Sequence, residues 1–490
     1  MKTSDRFLWV VMGLSAALAC NAFGQAQDFT AVRAEVDFAK HVRVWDGFGV
    51  NYVEVAQSID YTKDPQKYGG FSLLTEDQRQ QIVEMIFGDD GLRPALVKMF
   101  LDPFHQAQPG GPFDHETTTR WMRYFTREGL KRTRSRGQDL TIITTLYGPP
   151  AWATKQKFMR GRDLDPARKY DLARYMVDWV RYLREEEGLP VRYLSLHNEG
   201  EDWMRWPADG ASGNIGTGHD YNLFWPPEQV AEFLRIVRPM LDEAGLTDVG
   251  VTPGECTNWY RFSAWGYADA IADDPGALAS LGLITSHGFY GGTYGRWFGE
   301  HRSLGTDILR QKRPELHAWV TSTSWSKMDA ANVKEMHGNI YTAKVNGLIP
   351  WACIQRPTKW VGGDPNPGTA FRVKEDGSYE VLRGYYYFKQ LTRAGQPGMA
   401  VAKAFAMDSE IAVIGFSRNG TRHPDAFVVA NLGRDKKIAV KVAGAGSDSF
   451  EVFRTTDEKD RYEQVGRATL ENDMIVFNAP AQSATTFFAQ

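Results

Sequence analysis

Between Gly47 and about Ala394, short apolar runs of strand length alternate with longer stretches whose apolar residues recur every three or four positions. Eight runs stand out: "GFGVNYVEV", "PALVKMFL", "LTIITTLYG", "VRYLSLHNE", "DVGVTPGE", "LGLITSHGFYG", "LHAWVTSTS" and "LIPWACIQ". Most are followed by a helical stretch, which is the pattern of repeated βα units on a parallel sheet, and eight such units predict a closed (β/α)8 barrel. In one of these helices Leu172, Met176, Trp179, Val180 and Leu183 share a face, and Gly188 and Pro190 are expected to end it.

After about Gly395 the period changes to two. "EIAVIGFS", "AFVVANLG", "KIAVKVAG", "FEVFRTT", "MIVFNAP" and "SATTFFAQ" read as short strands separated by turns, the signature of a β-sandwich. The stretch from Phe29 to Trp45 alternates in the same way and is expected to pair with that sandwich. The chain is therefore expected to be α/β, a TIM barrel with an all-β sandwich side domain. Its expected parts are a leader over 1–26, N-terminal strands over 27–46, the barrel over 47–394 and the sandwich over 395–490.

The leader reading rests on a basic start (Lys2, Arg6), an apolar run from Phe7 to about Ala19 and small residues suited to cleavage. Export to the periplasm or the outside follows. Cys20 after "ALA" raises lipid anchoring as the lesser reading, because the apolar residue sits one place from where a lipobox needs it. Only Cys256 and Cys353 remain beyond it, so no disulfide framework is expected and both read as buried free thiols. A net charge of -3 with mixed signs gives no basic stripe for nucleic acid or an anionic membrane, and no later apolar run is long enough to span one. No Gly-rich phosphate loop and no G-x-S-x-G elbow follows a strand, so neither a nucleotide cofactor nor an esterase is expected. His197, His287 and His317 form no compact ligand motif, so no metal is expected either. The expected partner is a glycan, and the expected state a monomer.

In a barrel, the C-terminal strand ends and the loops after them form the active face. Those ends carry Asn51, Asp102, Tyr147, Trp152, Asn198, Glu199, Glu255, His287, Tyr290, Trp325 and Trp351, and the long loops over 200–225 and 356–371 read as rims of a cleft. The strongest local signal is "YLSLHNEGEDWMRW". It places a carboxylate beside an amide and stacking surfaces, as acid catalysis on a sugar requires. Glu199 would protonate the departing glycosidic oxygen if burial keeps its proton on, Asn198 would hold a ring hydroxyl, and Trp203 would stack on the sugar.

Here the chain resembles glycoside hydrolase family 30 and its clan A relatives, over nearly the whole mature length but at motif level. "DGFGVN" is similar to the family's "GFGG" entry, "YGPPAWATK" to its "SPPAWMK", "LSLHNE" to its "QNE" and "APAQSATTF" to its "SVTT" ending. The resemblance implies that Glu199 is a general acid/base and Asn198 its sugar-contacting partner. It also implies that Trp152, Tyr290 and Trp351 shape the innermost subsite, and that a glutamate ending strand seven, in a motif like "WMTE", is the nucleophile of a retaining mechanism.

This chain departs at that last point: it reads "WVTS", with Ser322 in the glutamate's place. A neutral hydroxyl cannot stabilise an oxocarbenium-like centre as a carboxylate does. Strand two departs as well, offering Lys98 where relatives tend to carry Arg. Glu255, in "TPGECTNW", is the expected substitute for the missing carboxylate, ahead of Glu54, Asp102 and Glu201. Asn51, Trp152, Asn198, Trp203, His287, Tyr290, Ser322, Trp325 and Trp351 are the expected sugar contacts, and Arg205, Arg296 and Arg356 could meet an acidic substituent. The function expected is cleavage of O-glycosidic bonds in a polysaccharide or oligosaccharide. The alternative is a carbohydrate-binding pseudoenzyme without its nucleophile.

Overall fold

The computed structural model describes residues 31–55, 67–210, 222–289, 301–323, 327, 329–359 and 370–490. The chain enters through a long strand, β1 (Ala31–Val44), and then lays down eight parallel strands, one from each run named above. They are β2 (Gly47–Asn51), β3 (Leu96–Leu101), β4 (Thr141–Leu146), β5 (Val191–Ser195), β6 (Gly250–Thr252), β7 (Ile284–Ser286), β8 (Ala318–Thr323) and β9 (Gly347–Pro350). Their hydrogen-bonded order is β6-β5-β4-β3-β2-β9-β8-β7. Between β6 and β7 the ring is closed by the Gly282 N–H on the Val251 carbonyl (2.8 Å) and the His287 N–H on the Cys256 carbonyl (2.9 Å). Every residue of β3 and β8 is buried, as expected of strands covered on both faces.

Ten helices are described. They are α1 (Glu76–Phe87), α2 (His115–Ser135), α3 (Lys169–Glu185), α4 (Pro227–Glu243), α5 (Trp259–Ala264), α6 (Tyr267–Asp273), α7 (Pro275–Ser280), α8 (Leu304–Lys312), α9 (Ala330–Tyr341) and α10 (Arg383–Ala394). The apolar stripe Leu172, Met176, Trp179, Val180 and Leu183 lies on α3 and is buried, and that helix stops at Glu185, before Gly188 turns the chain with φ 63°. At α1 the entry is set by a capping box in which Thr75 and Gln78 satisfy each other's backbone N–H groups.

A small sheet of β10 (Ile354–Gln355), β11 (Phe371–Val373) and β12 (Tyr379–Val381) follows the last barrel strand. The remaining strands are β13 (Ala400–Ala406), β14 (Ile411–Ser417), β15 (Ala426–Asn431), β16 (Lys436–Ala443), β17 (Ser449–Thr456), β18 (Arg461–Thr469), β19 (Met474–Ala479) and β20 (Ser483–Ala489). With β1 they form one hydrogen-bonded series, β18-β17-β20-β15-β14-β13-β1-β16-β19. The series folds over on itself. Phe477 of the terminal β19 packs on Phe487 of β20 with ring centres 5.0 Å apart, and Val36, Ile438, Phe450 and Ile475 share one core. Four strands were not among the sequence expectations, β11, β12, β13 and β18, and the last is almost wholly exposed.

Side sheet and barrel share an aromatic seam. Trp45 lies 4.8 Å from Phe48 and 5.4 Å from Phe416, and Phe48 meets Phe388 of α10 edge-on at 5.8 Å. Cys256 and Cys353 are buried free thiols. Among the described residues, no helix is long and apolar enough to cross a membrane.

Candidate active site

The chain leaves β5 with its parallel pairing to β6 prolonged by two bonds. The Glu255 N–H donates to the His197 carbonyl (2.9 Å), and the Glu199 N–H donates to the Glu255 carbonyl (2.8 Å). Both glutamates are thereby fixed at the C-terminal mouth of the barrel. Glu199 has φ 50°, a left-handed backbone that costs a non-glycine residue about 1–2 kcal/mol. Such outliers cluster where the surroundings over-determine a functional side chain.

Both carboxylates are buried, and one imidazole joins them. His287, just past β7, places Nδ1 2.8 Å from Glu199 Oε1 and Nε2 3.0 Å from Glu255 Oε2. Lys98 of β3 donates to the same Glu255 oxygen, and Thr145 of β4 donates to Glu255 Oε1 at 2.6 Å. On the other side, Arg205 reaches back to Glu199, donating to its carbonyl at 2.6 Å and to Oε2 at 3.1 Å. The result is a charged row, Lys98–Glu255–His287–Glu199–Arg205, built from four strand ends and one loop.

Neighbouring charges decide the protonation along this row. Burial alone would raise the Glu255 carboxyl, but the Lys98 charge and the His287 hydrogen bond outweigh it and hold it down at about 2. Burial works against a charged His287, yet its bonds to Glu199 and Glu255 prevail and hold the ring above its ordinary value. His197 lies behind them, stacked 5.7 Å from Trp225, and burial pushes it down to about 4. Glu201 is buried too and belongs to a separate pair. Burial would raise it, but Arg205 and Arg261 hold it low, with Arg261 donating at 3.0 Å.

The other expected sugar contacts are placed as follows. The Asn51 amide spans β2 and the end of β9, donating to the Pro350 carbonyl and accepting from the Cys353 N–H, both at 3.2 Å. Asn198 is buried and its carbonyl accepts from the Asn222 amide. Trp152 is half-buried in the short turn after β4 and donates to the Gln106 carbonyl at 3.1 Å. Trp203 is the most open, 44% exposed, with the Arg162 guanidinium 4.6 Å over its ring. Trp351 stacks on Tyr68 at 6.0 Å, and Ser322 is buried in β8. Tyr290 and Trp325, with Arg296, lie outside the described residues.

Several polar groups singled out in the sequence already have protein partners. Arg205, expected to meet an acidic substituent, is spent on Glu199, and Arg356 is paired with Glu375. Glu54 accepts from the backbone of α2 at Trp121 (2.7 Å) and Met122 (3.2 Å). His317 bonds Asp46 at 2.8 Å, away from the strand ends. Among the described residues no three His, Cys, Asp or Glu side chains converge as a metal site. Thr145 was missed by sequence reasoning. Its only signal is a hydroxyl residue one place before the last residue of an apolar strand.

The C-terminal mouth of the barrel, the face where active sites of this fold sit, thus gathers two buried carboxylates and a histidine. No protein-family model and no curated protein matches the sequence. Solved structures do match in shape. A GH30 endoxylanase from Clostridium papyrosolvens aligns over 94% of this chain and 100% of its own, with a TM-score of 0.65 and 16% identity. The catalytic domain of the GH30 xylanase C from Talaromyces cellulolyticus gives 94% and 100%, a TM-score of 0.68 and 14% identity. An endo-β1,6-glucanase gives 95% and 96%, a TM-score of 0.66 and 17% identity. At these identities the likeness is one of fold, a GH30-like barrel with its β side domain.

Proposed function

We propose that the chain is an exported O-glycoside hydrolase acting on a polysaccharide or oligosaccharide, with Glu199 as the group that protonates the leaving oxygen. The observation that carries this reading is Glu199 itself. It is a buried carboxylate at the end of the fourth barrel strand, held in a left-handed backbone, with a proton-bearing ring on one oxygen and a guanidinium on the other. The fold shared with xylanases and a glucanase supports the substrate class. Their different substrates leave the sugar and linkage open.

Glu255 takes a different part in this reading from the one its position in the sequence suggested. One imidazole bridges the two carboxylates, 2.8 Å from Glu199 Oε1 and 3.0 Å from Glu255 Oε2, and so holds their facing oxygens apart. The ring fills the gap where an inverting enzyme keeps its water. The Glu255 side chain has no exposed surface, and Lys98, Thr145 and His287 occupy both its oxygens. Glu255 is therefore assigned to holding His287, and not to activating water.

A second reading, a glycan-binding protein of low turnover, is favoured by one observation, Ser322 in place of a carboxylate on β8. Measuring release of reducing ends from xylo-oligosaccharides and β1,6-gluco-oligosaccharides separates the two. Hydrolysis that falls roughly 10²-fold or more in Glu199→Gln supports the acid role, and an unchanged rate removes it. Binding without hydrolysis in the wild type supports the second reading.

A further inference from the structure

His287 was expected to contact sugar, but both its ring nitrogens face carboxylate oxygens, and this fixes a proton count. Each of the contacts, Nδ1 to Glu199 at 2.8 Å and Nε2 to Glu255 at 3.0 Å, needs one proton between nitrogen and oxygen. A neutral imidazole supplies one. The second must sit on the ring as imidazolium or on one of the two carboxylates. Glu255 cannot hold it readily: the Lys98 ammonium and the Thr145 hydroxyl stabilise its anion, and it titrates at about 2. The second proton therefore belongs to the contact between His287 Nδ1 and Glu199 Oε1.

We infer that Glu255 and His287 form a proton store for Glu199, in which Lys98 and Glu255 fix the Nε2 proton and the Nδ1 proton is the one delivered. This inference rests on the hydrolase reading of Glu199. Glu255 and His287 are positioning residues, acting on the sugar only through Glu199, in the way a carboxylate sets the tautomer of a histidine that serves a third group. As the glycosidic C–O bond breaks, the single proton of the Nδ1–Oε1 contact passes by way of Glu199 to the leaving oxygen. A water oxygen bonds to the anomeric carbon, and the proton that water loses returns to the pair, so atoms and charge balance. The groups facing the ring are Glu199 and Arg205 beyond β5, Glu255 after β6, Lys98 on β3 and the neutral His197 behind it. The hydrogen bonds to the two glutamates outweigh burial and the Lys98 charge, which gives the raised direction noted above.

Two measurements on the full chain test this. The first needs no activity: nitrogen-15 spectra of the histidine side chains against pH, with His287 assigned by its loss in His287→Gln. A doubly protonated His287 persisting above the ordinary histidine range is expected, moving to lower pH in Glu255→Gln. A wild-type ring carrying one proton at pH 6 overturns the inference, whether or not any glycan is cleaved. The second is the pH profile of kcat and KM on oligosaccharides the wild type hydrolyses. The alkaline limb of kcat is expected to follow the His287 titration, to shift acidward in Glu255→Gln with kcat lowered about 10-fold and KM unchanged, and to vanish in His287→Gln. An alkaline limb that stays in place in both variants refutes the store while leaving Glu199 as the acid.

Discussion

The ion pair between Lys98 and Glu255 offers the sharpest test of how this barrel mouth is held together. Neither side chain has any exposed surface. Removing one member of such a pair typically costs about 3–5 kcal/mol, because the other charge is left buried without compensation. In Lys98→Met the remaining His287 contact still faces Glu255 Oε2, so the cost should lie at the lower end, about 3 kcal/mol. The double variant Lys98→Met, Glu255→Gln leaves no bare anion. Its cost should fall short of the sum of the single costs by about 2 kcal/mol or more, well outside the roughly 0.5 kcal/mol within which independent sites add. Urea unfolding followed by tryptophan fluorescence at pH 7 measures all three. Because the Glu255 carboxyl is depressed to about 2, its contribution is complete above the unfolded value and fades as pH falls from about 4.5 towards 2. Additive costs, or a Lys98→Met variant as stable as the wild type, would refute the reasoning.

Three further outcomes are expected. Glu54 is pushed up to about 8, chiefly by burial, so the folded state holds a proton that the unfolded chain has lost. Stability should fall as pH rises from about 4.5 to 8, and Glu54→Gln should flatten that slope in melting temperatures taken across the range. Gly254 has φ 91°, and an added Cβ would lie 2.1 Å from the His197 ring, so Gly254→Ala should cost at least about 2 kcal/mol; an unchanged melt would show that His197 is free to move. Ser322→Glu adds a carboxylate to a buried strand position while Lys98 is already committed to Glu255. It should lower the melting temperature without a gain in retaining activity, and a large gain with retained anomeric configuration by NMR would reverse that expectation.

The barrel was legible because its strands are short apolar runs bracketed by turn residues, most of them followed by an amphipathic helix. β18 was not. In "RYEQVGRAT" the residues are mostly exposed, so no burial pattern marks a strand that is specified by its pairing with β17. Position along a strand picked out Glu199, Glu255 and His287, but their relation lies in contacts that no local pattern encodes. Lys98 and Thr145 reach Glu255 across 157 and 110 residues of sequence, and His287 reaches Glu199 across 88. The single-residue reading of His287 as a sugar contact had no access to the two acceptors that saturate its ring. Arg205 likewise reads in sequence as a partner for an acidic substituent, with no sign of the carboxylate six residues earlier that it turns back to meet.

Those long-range contacts bear on why a serine stands at the end of strand seven. The family resemblance implies a cation on strand two and a carboxylate on strand seven. A buried ammonium cannot be left alone, since an unpaired charge in the interior costs several kcal/mol. If Ser322 were simply a lost glutamate in an otherwise unaltered site, Lys98 would be expected to lack an anion. Instead Lys98 is paired with a carboxylate at the end of strand five, which a strand-three hydroxyl and a strand-six histidine also satisfy. The cation, the strand-five carboxylate and the histidine bridge satisfy one another. On this ground the charge around the mouth is balanced without a carboxylate at Ser322, the negative partner of Lys98 being Glu255, which also bonds His287. The proposed chemistry, centred on the Glu199–His287 contact, is consistent with that distribution.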